Sequence, residues 1–254
     1  MNPFDPYFER IREYENHLKN NGRSVRVWHA RPFDDLEGTP QQTYSPIILK
    51  ENTAVELGGP RTVGSNFMIW TEDVSLVCNG QITLVGPDIP ETRGGTLPLG
   101  QVTLVGGLAL SKEIQSRLER EQYAAERVPG YMVRSTGGRI WSRVSYEALD
   151  NGFSFRSLGA TILCHLRAKL AAVNVAEILF VTSSVEDVQN LEKIGAQVRK
   201  LSHDLRRERI KETADGEYEC ESDISCEACP DNEVCSEIRE ILVIRKKDSQ
   251  AQYA

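Results

Sequence analysis

Four of the six cysteines in this 254-residue chain fall within sixteen positions, Cys220, Cys226, Cys229 and Cys235, in the spacing C-x5-C-x2-C-x5-C. That clustering constrains the C-terminal part more than any hydrophobic pattern does. A C-x2-C loop turns two sulfurs onto one ion, and Pro230 stiffens the turn directly after Cys229. Cys220 and Cys235 flank the loop at matching distances, so four thiolates are available, the number that suits tetrahedral zinc or a cubane iron–sulfur cluster. Zinc ribbons usually present two C-x2-C knuckles and this chain presents one, which places an iron–sulfur cluster, [4Fe-4S], ahead of structural zinc. Four reduced thiols in a metal-free tail is the third reading. Cys78 and Cys164 stand alone in apolar surroundings and are expected in the core as small hydrophobes.

The redox argument needs a compartment. Met1-Asn2-Pro3-Phe4-Asp5-Pro6 contains no basic leader followed by an apolar run, and no stretch approaches the roughly 18 apolar residues of a membrane span. A cytoplasmic protein without membrane insertion is expected, and there thiols stay reduced and serve as metal ligands rather than disulfide partners. A net charge of −7 gives no general attraction to nucleic acid, and no nucleic-acid partner is expected.

Ahead of the cysteines the chain reads as α/β or α+β. Phe8, Ile11, Tyr14 and Leu18 lie at helical spacing over residues 5–20, and Asn20-Asn21-Gly22 ends the pattern. Val25–Trp28 reads as a strand, and residues 32–46, rich in Pro, Asp, Gly, Thr and Gln, as a linker. Thr53–Leu57, Asn66–Thr71, Gln81–Val85 and Val102–Val105 are short β-like runs, with Asn79-Gly80 suited to a tight turn. A helix capped by Ser111 is expected to run to about Arg127. A second should span 157–173, with Leu158, Ile162, Leu166, Leu170 and Val173 on one stripe. Glu177–Thr182 reads as a buried strand, and Ser184 with Asp187 as the capping box of a long helix. A short helix should follow Cys235. This divides the chain into an N-terminal helix and linker (1–46), an α/β domain (47–212) and a small Cys-rich metal-binding appendage (213–254).

Arg127, Arg134, Arg139 and Arg143 surround Ser135-Thr136-Gly137-Gly138. Guanidinium forks match phosphate oxygens, and glycine lets a backbone approach them, so this is a candidate phosphate or CoA site, against the alternative of a solvated basic surface. No P-loop or dinucleotide fingerprint is present. His17, His29, His165 and His203 are scattered, and no catalytic group stands out.

Several stretches resemble the middle domain of acetyl-CoA synthase, the β subunit of the carbon monoxide dehydrogenase/acetyl-CoA synthase complex. They are Val55-Glu56-Leu57-Gly58-Gly59-Pro60-Arg61-Thr62, Asn79 to Ile89 (NGQITLVGPDI), Leu97-Pro98-Leu99-Gly100, Trp141-Ser142-Arg143-Val144-Ser145 and Gly152-Phe153-Ser154-Phe155. The resemblance implies an acetyl-CoA synthase middle-domain-like fold over about residues 53–210, with CoA received near the arginines beside a tryptophan. Met132 stands at the position aligned with that tryptophan. In the family the following segment ligates a nickel-bearing A-cluster. Cys226-Glu227-Ala228-Cys229 and Cys235 resemble its start, Cys220 would complete the set, and the Cys-Gly-Cys element for the distal nickel does not follow. The resemblance therefore implies an iron–sulfur accessory or electron-transfer protein, not catalytic alone, docking on a larger enzyme of one-carbon or acyl-CoA metabolism such as carbon monoxide dehydrogenase or a corrinoid protein. A true subunit completed by other chains and a zinc-stabilised scaffold are the alternatives.

Overall fold

The computed structural model describes residues 2–30, 47–59, 62–107, 128–136, 138–207, 210–212, 218–220, 240 and 243–244. Helix α1, Asp5–Asn20, starts with Pro6 in its first turn, where a missing N–H costs nothing, and ends before Gly22 at φ 75°. Phe8, Ile11 and Leu18 are its buried stripe, as the periodicity predicts.

The centre is a five-stranded mixed sheet in the order β1-β4-β9-β6-β3. Its strands are β1 (Val25–His29), β3 (Gly64–Thr71), β4 (Gln81–Val85), β6 (Leu99–Gly106) and β9 (Val175–Val181). β4 runs parallel to β9 and β6 runs parallel to β3, while β9 and β6 are antiparallel. β6 is buried along its whole length, as a strand covered on both faces must be. Cys78 to Gln81 forms the expected tight turn: the Gln81 N–H donates to the Cys78 carbonyl at 3.0 Å, and Gly80 alone takes positive φ, 76°.

A second, four-stranded sheet runs β5-β2-β8-β7. It comprises β2 (Thr53–Gly58), β5 (Thr96–Leu97), β7 (Tyr131–Thr136) and β8 (Arg139–Ser145). β8 packs against β3 and β6, joining the two sheets. β7 and β8 occupy a stretch for which the sequence suggests no strand, on either side of the glycine pair Gly137-Gly138. The expected loop is the turn of an antiparallel hairpin in which Thr136 faces Arg139.

Among the described residues three more helices follow: α2 (Tyr146–Asp150), α3 (Phe155–Lys169) and α4 (Val185–Arg207). Helix α3 occupies 155–169 rather than 157–173. Ser154 and Ser157 cap each other's backbone at its start, and Leu170 turns extended; Leu170 and Val173 stay buried in the connection to β9. Gly159 lets α3 lie on the sheet, since a Cβ there would stand 2.8 Å from Ile82 and 3.1 Å from Ile178. Helix α4 approaches β3 equally closely at Gly195, over Phe67; at its start the Ser184 hydroxyl accepts the Asp187 N–H at 3.1 Å, one half of the expected capping box, while the Asp187 carboxylate accepts from the Ser183 hydroxyl at 2.6 Å and pairs with Arg23.

On β9 the neighbours Glu177 and Ile178 point to opposite faces, Glu177 to Arg12 of α1 and Ile178 to α3, so the two helices sandwich the sheet. Tyr14 Oη donates to the Asp187 carbonyl at 2.6 Å and Thr71 to Asp5 at 2.7 Å, tying α1 to α4 and β3. The mixed α/β architecture expected from the sequence stands. Cys78 does not meet its expectation of burial. It sits exposed in the turn before β4, its N–H spent on Glu177 at 2.6 Å, and Cys164 is half-buried on α3. Partial desolvation pushes both thiols up from their ordinary pKa, and at Cys78 the neighbouring Glu177 carboxylate adds to it. The expected helix at 111–127 and the one after Cys235 lie outside the described residues, apart from helical turns at 240 and 243–244.

Candidate functional site

The outer face of the β2-β8-β7 sheet gathers the arginines. Strand alternation in β8 sends Ile140, Ser142 and Val144 inward and Arg139, Trp141 and Arg143 outward. Antiparallel pairing then sets Met132 beside Arg143 and Arg134 beside Trp141. From the other side β2 sets Glu56 beside Arg143 and Gly58 beside Trp141. Three of the four candidate arginines, Arg134, Arg139 and Arg143, thus share one face, and Arg127 lies outside the described residues.

The side chains there are in mutual contact. Trp141 Nε1 donates to Glu56 Oε1 at 2.6 Å, and the Arg143 guanidinium sits 4.8 Å from the centre of the Trp141 ring, a cation–π contact. Arg143 also donates to the Ile48 carbonyl at 3.0 Å, and its Nε is buried without a partner. The Ile48 N–H in turn meets Met132 Sδ at 3.4 Å, so Met132 is a packing residue beneath the face. Gly59, at φ 107°, lies against the indole; a Cβ there would stand 2.9 Å from Trp141 Nε1. Arg134 and Arg139 are exposed at the hairpin's outer half, where Arg134 donates to the Val133 carbonyl at 2.7 Å. A flat aromatic ring among guanidinium groups suits a phosphorylated nucleotide, with the ring edge already committed to Glu56.

One further arginine reaches the hairpin from α4. Arg199 forms an ion pair with Glu192, whose second oxygen accepts the Ser65 hydroxyl at 2.5 Å. Its guanidinium lies against Gly138, where any side chain would collide with it. The seven-residue spacing of Glu192 and Arg199 on one helix face is legible in the sequence. The approach to Gly138 is not, because it depends on how α4 crosses β3.

The cysteine set is placed only in part. Cys220 ends β11 (Tyr218–Cys220), which pairs antiparallel with β10 (Ile210–Glu212), Ile210 opposite Cys220. Cys226, Cys229 and Cys235 lie outside the described residues. Among the described residues no group of three or more His, Cys, Asp or Glu is placed to hold a metal ion, and no helix is long and apolar enough to cross a membrane.

Comparison with known proteins gives one consistent direction. The family model described as CO dehydrogenase/acetyl-CoA synthase complex beta subunit matches residues 44–188. The acetyl-CoA decarbonylase/synthase complex subunit beta of Methanothermobacter thermautotrophicus is 28% identical over 191 residues, covering 74% of this chain and 40% of the relative. The carbon monoxide dehydrogenase/acetyl-CoA synthase subunit alpha of Moorella thermoacetica is 27% identical over 191 residues, 74% of this chain and 26% of that one. Subunit beta 1 of the Methanosarcina thermophila acetyl-CoA decarbonylase/synthase complex is 24% identical over 190 residues, 74% and 39% of the two chains. The chain therefore spans two fifths or less of the length of these relatives.

Proposed function

Because the chain belongs to the CO dehydrogenase/acetyl-CoA synthase complex beta subunit family, we propose that it is an iron–sulfur accessory or electron-transfer protein. It docks on a larger enzyme of one-carbon or acyl-CoA metabolism. The observation that carries this reading is the join between the family's α/β platform, matched to residue 188, and a separate set of thiols beginning at Cys220. Cys220, Cys226, Cys229 and Cys235 are a donor set of the right number and softness for one cubane. When bound, the cluster supplies one-electron chemistry. The chain's own part is to hold it on the segment that follows α4 and the β10-β11 pair. The printed names of the relatives are those of complex subunits, which supports a large enzyme assembly as the partner, with carbon monoxide dehydrogenase or a corrinoid protein the candidates.

The outer face of the β2-β8-β7 sheet favours a second reading, a true subunit of an acyl-CoA enzyme completed by other chains. There Arg134, Arg139 and Arg143 beside Trp141 receive CoA.

Anaerobic purification tests the first claim. Brown protein with about four iron and about four acid-labile sulfide per chain is expected. Colourless protein carrying about one zinc per chain would replace it with a zinc-stabilised scaffold. Co-purification then separates accessory from subunit. If the partner complex forms acetyl-CoA only with this chain present, and loses that activity on Arg139→Ala with Arg143→Ala, the subunit reading takes precedence.

A further inference from the structure

We propose that Glu15 holds a proton in the folded protein, and that α1 is thereby a proton-sensitive latch on the central sheet. Two carboxylates converge on one guanidinium where α1 meets β9. Arg12 commits both terminal nitrogens to Glu177, and the Cys78 N–H adds a third donor to that carboxylate at 2.6 Å. Glu15, one turn further along α1, reaches the same guanidinium at 3.5 Å, the looser of the two contacts.

The cluster is therefore one positive charge short. The Glu15 side chain is 18% exposed and that of Glu177 2%, so water screens neither well. A second carboxylate charge held out of water beside the first is costly, and a proton on it removes the cost. Glu177 already has its charge answered by three N–H donors, which leaves Glu15 to take the proton. Burial pushes the Glu15 carboxyl above its ordinary value and the Glu177 charge adds to this, while Arg12 and the Thr83 hydroxyl oppose it.

The other groups around Glu15 leave the balance unchanged. Cys78 brings a thiol and no positive charge. On the same sheet face β1 sets Val27 beside Thr83 and His29 beside Gln81, and His29 is exposed. Lys19, one turn beyond Glu15 on α1, is exposed as well. Among the described residues Arg12 is the cation that acts on Glu15.

Ionising Glu15 puts two negative charges on one guanidinium at the joint between helix and sheet. Because the folded-state value lies above the unfolded one, this contribution to stability is complete below the ordinary carboxyl value of 4.5 and is lost as pH rises through the raised one. Helix α1 also holds Thr71 of β3 through Asp5 and the Asp187 carbonyl of α4 through Tyr14, so its loosening is felt at both. The latch lies ahead of residue 44, where the family model begins to match.

Carboxyl-carbon NMR titration of the full chain tests the proton, and hydrogen exchange of residues 5–20, corrected for the intrinsic rate at each pH, tests the latch. Glu15 should titrate above the other glutamates; titration at or below the ordinary value overturns the proposal. Protection of α1 should fall several-fold between about pH 5 and about pH 8. Glu15→Gln, which mimics the protonated group, should keep at about pH 8 the protection that the parent has at about pH 5. A Glu15→Gln protein less protected than the parent at the higher pH would mean that an ionised Glu15 braces Arg12, and overturns the proposal. So does a high Glu15 titration with α1 equally protected throughout. Should Glu15→Gln fail to fold, Glu177→Gln decides: it frees Arg12 for Glu15 and should bring the Glu15 titration down, and an unchanged titration overturns the account.

Discussion

Arg12 of α1 grips Glu177 of β9 with both terminal nitrogens, at 2.5 and 2.6 Å, and Glu177 is almost wholly buried. The ion pair crosses from the first helix to a central strand, and the same carboxylate accepts the Cys78 N–H. Its effect is visible on Arg12, whose pKa is raised chiefly by the hydrogen bond to Glu177, against the opposing effect of burial. Arg12→Met strands a carboxylate inside the sheet and should cost roughly 2–4 kcal/mol of unfolding free energy. Arg12→Met with Glu177→Leu should recover most of that loss. Urea denaturation of the two variants checks it, and equal destabilisation in both would contradict the account.

Gly59→Ala should disturb the arginine face without touching an arginine. The new methyl meets the Trp141 indole and forces a residue with Cβ into φ 107°. The expected cost is about 1–3 kcal/mol. Loss of the bond from Trp141 Nε1 to Glu56 should accompany it as a shift in tryptophan fluorescence. A Gly59→Ala protein with unchanged emission and stability would show that the indole is not held there.

Tyr131 predicts an alkaline limit to stability. It is fully buried, and burial pushes its phenol from 10.0 up to about 12, against a smaller opposing effect of the Ser142 hydroxyl. The raised folded-state value means the stabilisation is complete below pH 10 and is lost as pH rises towards 12, because only the unfolded chain ionises in that window. Over those two pH units the loss is roughly 2–3 kcal/mol. Tyr131→Phe removes this component. Its hydroxyl has no good hydrogen-bond partner, so the variant should match the parent at pH 7 and exceed it at pH 11 by circular dichroism.

Cys229→Ser should abolish the bound metal while leaving the α/β domain folded. The described core runs from Phe4 to Val198 and draws on none of the four clustered cysteines. Thermal unfolding should keep a cooperative main transition within a few degrees of the parent, and iron content should fall to background. Collapse of that transition would tie the domain to its metal.

Much of this was legible in the sequence, and the failures have physical causes. The α1 stripe, the β4 and β9 runs and the Ser184 cap are local patterns, and each appears where its residues put it. The β7-β8 hairpin is hard to see in the sequence because its outward positions hold arginine and its inward ones include Ser142, so the apolar half of the alternation is faint. Cys78 looked like a core residue among apolar neighbours, but the turn needed for Gly80 turns it outward. Arg199 gave no sign of its contact with Gly138, because that contact depends on a helix crossing and not on spacing within the helix.

The first strand has a practical meaning for anyone dividing this molecule. Helix α1 and β1 precede residue 44, and the later turns of α4 follow residue 188, so all three fall outside the stretch that the family model matches. β1 closes one side of β4 by antiparallel pairing, Val25 opposite Val85 to His29 opposite Gln81. A fragment trimmed to the shared stretch would therefore begin life with a raw sheet margin and an orphaned Glu177, and its natural tendency would be to stick to its own copies.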